Sequence, residues 1–143
     1  MKKIRITATK KDVKNLAQMV RQMYKELQPN YATDDIKVYK KVVKEALKSP
    51  IDRIYIHKDG FFQVRDESEP TMPDLKRYNG VRVFIKPHAR NGRLLANFYK
   101  RLFADYPEGD ILGMTESNSK HIPIMDKRHI EVARIYVLDR SRG

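Results

Sequence analysis

Apolar residues recur along this chain with two different periods, and the switches between them mark out its elements. Lys3 to Thr7 alternates as a first strand. Val13, Leu16, Val20, Met23 and Leu27 follow at spacings of three and four, which predicts an amphipathic helix. Thr9-Lys10-Lys11-Asp12 precedes it as a capping box, with Asp where Glu is commoner. Pro29 and Asn30 break the helix. Asp34 or Asp35 caps a second one, with Ile36, Tyr39, Val43 and Leu47 on one face and Ser49-Pro50 at its end. Arg53 to His57 and Phe61 to Val64 are rich in β-formers, and Asp59-Gly60 between them predicts a hairpin.

From Asp66 to Asn79 the chain is polar and aperiodic, which predicts a mobile loop. Such a loop either gates a site or does nothing. Val81, Val83 and Ile85 then alternate with Arg82, Phe84 and Lys86, a strand with one buried face that Pro87 ends. Leu95, Phe98 and Leu102 recur at helical spacing, and with Tyr99, Phe103 and Tyr106 they form an aromatic stripe read as core. Pro107 and Gly109 stop that helix, and Asp110 to Thr115 is a further strand. Ser117 to Arg128 is irregular and helical, interrupted by Pro123, and Ile130 to Leu138 is a closing apolar strand or bent pair of strands. The predicted order is β-α-α-β-β-β-α-β-α-β(β), one domain over residues 1–143.

Composition narrows the chemistry. There is no cysteine, which excludes a disulfide, a thiolate metal site and a cysteine nucleophile. His57, His88, His121 and His129 show no paired spacing, so no metal site is expected. The opening residues lack the apolar run of a signal peptide. No segment approaches the roughly 20 apolar residues of a membrane span. A cytoplasmic protein without a membrane partner is expected. The net charge of +12 sits in the first two-thirds of the chain. It fits an anionic partner, such as a nucleotide cofactor, an acidic protein or a nucleic acid, and fits a solvated lysine surface equally. A homodimer is left open.

The passage from Val81 to Leu95 joins a strand to a helix through a basic turn with one glycine. A helix start offers unpaired N–H groups and the positive end of the dipole. Arg90 and Arg93 add charge, and Gly92 permits close backbone approach. On the residues alone this is either a phosphate cradle or a turn that binds nothing.

Val81-x-Val83, Pro87 and Arg90-Asn91-Gly92-Arg93 together resemble the acetyl-CoA motif of the GCN5-related N-acetyltransferases, the GNAT family. The usual motif is Arg/Gln-x-x-Gly-x-Gly/Ala. Here Gly comes one place early and the second Gly is absent, closer to a shortened phage-type form. The element order matches the family from end to end. Ile6 to Asp12 is similar to the usual opening, and His129 to Tyr136 to the usual close. The resemblance implies an α+β fold (α/β/α), with a mixed, mainly antiparallel sheet whose central strands splay apart between flanking helices. It implies acetyl-CoA as co-substrate and an amine-bearing acceptor, whether protein, peptide or small molecule. The backbone of Val83, Phe84 and Ile85 would pair with the pantetheine arm, and amides from Arg90, Asn91, Gly92, Arg93, Leu94 and Leu95 would take the pyrophosphate. The arm would lie between the Phe84 and Met114 strands.

Transfer also needs a proton acceptor and a partner for the leaving thiolate. Many family members carry a Glu on the central strand, and this strand has none. Glu116 is the candidate base, equally readable as a capping acid, with Asp66 and Glu67 as others. A Tyr often serves as general acid in the family, and none stands in the corresponding stretch from Pro123 to Asp126. Asn118 and Ser119 are candidates to hydrogen-bond the CoA sulfur, and His121 is a further donor. The first two helices and the hairpin would line the acceptor side, with Tyr24, Tyr31, Tyr39 and many lysines. That surface suits an acidic peptide or RNA more than a cationic antibiotic.

Overall fold

The computed structural model describes residues 5–6, 8–72, 74–113 and 141. Their order is β1 (Arg5–Ile6), α1 (Val13–Leu27), α2 (Ile36–Lys48), β2 (Asp52–His57), β3 (Gly60–Asp66), β4 (Arg77–Ile85), α3 (Arg93–Asp105) and β5 (Asp110–Gly113). The strands form one sheet in sequential order. Neighbours from β1 to β4 are antiparallel, and β4 and β5 are parallel. The fold is α+β.

The predicted caps are present. Thr9 N–H donates to Asp12 Oδ2 at 2.7 Å, and Lys11 N–H to Thr9 Oγ1 at 3.3 Å. This box closes a short 3-10 turn, Lys10–Asp12, that leads into α1. Asp35 Oδ1 accepts from Lys37 N–H at 3.0 Å and starts α2. Such caps satisfy helix donors that have no partner within the helix.

Helices cover both sheet faces. On one, α1 and α2 bury Leu16, Ala17, Val20, Tyr39 and Val43 against Ile54, Ile56, Phe61 and Phe84. On the other, α3 buries Leu94, Phe98, Tyr99 and Leu102 against Tyr55, Phe62, Val64 and Tyr78. Each Val, Leu, Ile or Phe among them taken fully out of water contributes about 1.5–3 kcal/mol.

Coverage on both faces corrects the reading of the central strand. Phe84, predicted on the exposed side, is 5% exposed, while Val83 is 40% exposed. Alternation identifies a buried face only when the other face meets water. The aromatic stripe of α3 is also only partly core, because Phe103 is 59% exposed.

The hairpin closes through Lys58 and Asp59, and His57 pairs with Gly60. Gly60 is thus the first residue of β3. A Cβ there would lie 2.6 Å from the Phe84 carbonyl oxygen, so close strand approach requires the glycine. The predicted loop over 66–79 is shorter than expected. β3 runs to Asp66 and β4 begins at Arg77. Hydrogen bonds from Glu67 N–H to Arg77 O (2.8 Å) and Glu69 N–H to Leu75 O (3.2 Å) extend the pairing into the connection. The irregular helical region and closing strands predicted beyond Met114 lie outside the described residues, as do Lys3, Ile4 and Thr7 of the first strand.

Candidate functional site at the head of the third helix

β4 delivers the chain to the site and α3 leads away from it. β5 pairs with β4 from Arg77 to Gly80. Among the described residues, Val81 to Ile85 have no partner on that edge. Five residues of extended backbone thus stand without a described partner on the β5 side. Met114, on the predicted opposite wall, lies outside the described residues.

Beyond β4, Pro87–Ala89 forms a single 3-10 turn. Gly92 then adopts a left-handed conformation, φ +85°, and caps α3. This is the region that excludes most side chains and suits glycine. A Cβ on Gly92 would meet nothing within 4 Å, so the space beside it is open. Asn91 Oδ1 accepts from Arg93 N–H at 3.1 Å, and Ala96 N–H donates to Gly92 O at 3.0 Å. The amides of Gly92, Leu94 and Leu95 have no acceptor among the described residues. Three unsatisfied donors at a helix head, where the dipole is positive, suit an anion.

The Arg90 side chain is engaged within the protein. Its Nη1 and Nη2 donate to Glu26 Oε1 and Oε2 of α1 at 2.7 and 2.6 Å. Its Nε donates to Ile85 O at 2.8 Å, and its guanidinium lies 5.5 Å from the centre of the Phe84 ring. Arg90 thus ties the turn to β4 and α1, with its charge taken up by Glu26. Among the described residues the cations beside the helix head are Lys58 and Arg93. They line an open cleft of about 310 Å³ with His57, Asp59, His88 and Asn91. His88 Nε2 lies 3.1 Å from Asp59 Oδ1, and His57 Nδ1 accepts from Asp59 N–H at 3.1 Å. A larger furrow, about 370 Å³, runs between Lys37, Lys40, Lys41, Lys44, Glu45 and Lys48. All six stand on α2 itself, so it is the solvated surface of one helix.

A polar file crosses the α1/α2 face of the sheet beside this passage. Asp52 Oδ1 accepts from Gln63 Nε2 and Arg65 Nε, each at 3.1 Å. Gln63 Oε1 accepts from Arg82 Nη1 at 2.9 Å. Burial pushes the Asp52 carboxyl up, but hydrogen bonds from Ser49, Gln63 and Arg65 outweigh it and hold the group below its ordinary value. On the other face Tyr55 donates to Asp105 Oδ2 at 2.7 Å. Burial, with that bond, raises the phenol well above its usual range.

Of the candidates for the reacting end, Glu116, Asn118, Ser119 and His121 lie outside the described residues. Asp66 ends β3, and Glu67 Oε1 accepts from Asn79 Nδ2 at 3.3 Å. Sequence reasoning passed over Glu26, Asp52, Gln63, Asn79 and Arg82. Gln63 offered a signal, because it stands between Phe62 and Val64 in an otherwise apolar strand. Among the described residues no helix is long and apolar enough to cross a membrane.

No protein-family model matches this chain, and no curated protein sequence matches it. Solved structures do. A possible acetyltransferase from Clostridium difficile 630 superposes with a TM-score of 0.70 at 15% identity, over 96% of this chain and 98% of that one. A predicted acetyltransferase from Clostridium acetobutylicum, solved with acetyl-CoA, gives 0.66 at 15%, over 100% and 99%. The acetyltransferase AAC(6')-Iy, in complex with the bisubstrate analogue CoA-S-monomethyl-acetylneamine, gives 0.63 at 14%, over 97% and 99%. These structural neighbours are GNAT acetyltransferases, and this chain has their fold.

Proposed function

We propose that this protein is an N-acetyltransferase that moves an acetyl group from acetyl-CoA to an amine of its acceptor. One observation carries the reading. Among the described residues, the amides of Gly92, Leu94 and Leu95 have no acceptor, and they follow a strand whose last five residues have no partner on the β5 edge. A diphosphate suits the amides, and an extended, amide-bearing arm suits the strand edge. Acetyl-CoA joins both chemistries in one molecule. Val83, Phe84 and Ile85 would pair with the arm, and the backbone from Arg90 to Leu95 would grip the pyrophosphate. Arg93 and Lys58 would add charge at the rim, while Arg90 would brace the turn. At the reacting end, Glu116 is the proposed proton acceptor, with Glu67 beside Asn79 as the second candidate. Asn118 and Ser119 are the proposed partners of the CoA sulfur.

Thermal melting with and without acetyl-CoA tests this. At about 100 times its dissociation constant, the ligand should stabilise by roughly 2.7 kcal/mol. Gly92→Val should abolish that gain, because the substitution strains the left-handed turn and fills the open space beside it. Thiol release in the presence of amines then tests turnover. No stabilisation by acetyl-CoA would overturn the proposal.

A second reading, a GNAT-fold binding protein without efficient transfer, is favoured by one feature. β4 carries no carboxylate from Arg77 to Ile85. Stabilisation by acetyl-CoA with no thiol release for any amine would select it.

A further inference from the structure

β4 is bulged where it faces the junction of Gln63 and Val64. Gln63 pairs with Arg82 and Val64 with Gly80, so Val81 has no partner on β3. In a regular strand, residues three apart point to opposite faces. The extra residue resets the alternation and brings Asn79 and Arg82 to the same face. Their cross-strand partners are Arg65 and Gln63, on the side of the sheet that α1 and α2 cover. The two stations are about 10 Å apart at most along the strand.

Each has an incomplete set of polar contacts, and the deficits are opposite. Asn79 Nδ2 donates to Glu67 Oε1 at 3.3 Å, which orients the amide, and among the described residues its buried Oδ1 has no hydrogen-bond partner. A buried carbonyl oxygen left this way lacks a donor. Arg82 is held by Nη1 on Gln63 Oε1, and Gln63 is only 2% exposed. Gln63 is held in turn by Asp52, whose charge is taken by Arg65. Among the described residues no carboxylate pairs with Arg82. A half-buried guanidinium held at one end lacks an anion, and carboxylate is its geometric match.

We infer that Asn79 and Arg82 form the acceptor subsite, with Asn79 Oδ1 taking an N–H of the acceptor amine and Arg82 binding a carboxylate of the same molecule. The acceptor is thus an amino acid or a related amino carboxylate. The inference rests on the acetyl-transfer reading, in which a thioester arm running along Val83 to Ile85 ends beside Arg82. The acceptor ammonium loses one proton to solvent or a base, and its nitrogen attacks the thioester carbonyl carbon. The C–N bond forms and the C–S bond breaks. The second proton lost from nitrogen ends on the departing thiolate.

The test compares ω-amino acids from glycine to 6-aminohexanoate with n-alkylamines of the same lengths, by thiol release from acetyl-CoA. The wild type should favour some member of the amino-acid series at least tenfold in kcat/KM over its alkylamine counterpart. Arg82→Gln should collapse that ratio toward one, mainly through KM, and keep the acetyl-CoA melting shift. Arg82→Lys should recover part of the ratio. Equal rates for both series in the wild type, or equal losses on both in Arg82→Gln, would overturn the inference while leaving the acetyl-transfer reading intact. Absence of any acetyl-CoA melting shift in the wild type would overturn both.

Discussion

The two faces of this sheet are built to different rules. Under α3, Tyr55, Phe62, Val64, Tyr78, Phe98 and Leu102 form an aromatic core, and the hydroxyl of Tyr55, its most deeply buried tyrosine, donates to Asp105. Under α1 and α2 a mainly aliphatic core ends at a polar file, Asp52, Gln63 and Arg82, with Asn79 beside it. Polar groups taken from water without full partners are a cost, so a fold that needed only stability would place aliphatic side chains there. The contrast teaches a division of labour. One face supplies cohesion, and the other gives up some of it to keep donors and acceptors oriented.

The largest effect should come from the cohesive face. Phe98 is 0% exposed, and Phe98→Ala should destabilise by about 3–5 kcal/mol, read by urea or thermal unfolding. A loss under 1 kcal/mol would break the contrast. On the polar face, Gln63→Leu should cost about 1–3 kcal/mol, because it leaves Arg82 and Asp52 short of partners. A neutral or stabilising result would mean that the file relaxes freely.

A smaller effect is expected from pH. The Asp52 carboxyl has a lowered value in the folded protein, so its contribution is present above the unfolded value, near 3.8, and is lost as pH falls below it. Asp52→Asn should therefore flatten the acid limb of stability below about pH 4, seen in melting temperatures across pH. An unchanged acid limb would assign that slope to other carboxylates. The smallest effect should be at the Glu26–Arg90 pair, where both side chains are about a third exposed. A double-mutant cycle with Glu26→Gln and Arg90→Ala should give a coupling of about 1 kcal/mol or less. A much larger coupling would mark the brace as part of the core.

Much of the architecture was legible in the sequence. The amphipathic periods of α1 and α2, the Thr9 and Asp35 caps and the hairpin all stand where the pattern predicts. These features depend on residues a few positions apart. The helix-head glycine was legible for the same reason, since Gly92 follows Asn91 at a strand-to-helix turn. β4 was legible only in its second half. Tyr78-Asn79-Gly80 breaks the β pattern, and the bulge at Val81 shifts the phase, so the strand seemed to start four residues late. The polar file was illegible because cross-strand register assembles it. Asp52, Gln63 and Arg82 become neighbours only once three strands are aligned. Likewise Arg90 carries a charge that suggests a phosphate ligand, and only the packing of α1 shows that Glu26 meets it.

Among the described residues β4 pairs with β5 over four positions, and in the proposed acetyl-CoA site the rest of that edge would act as a gauge of length. Gly80 is the last of the described pairs at one end of that edge, and the amide cluster at Gly92 lies past the other. Val81 to Ile85 span about 16 Å. In the proposed reaction, a donor gripped at the cluster would deliver its reactive bond beside Arg82 only if its arm matches that span. The protein would then select acyl carriers by reach as well as by phosphate. Acetyl thioesters with clipped arms, such as S-acetyl-N-acetylcysteamine, should fail as donors even at concentrations that saturate with the full coenzyme.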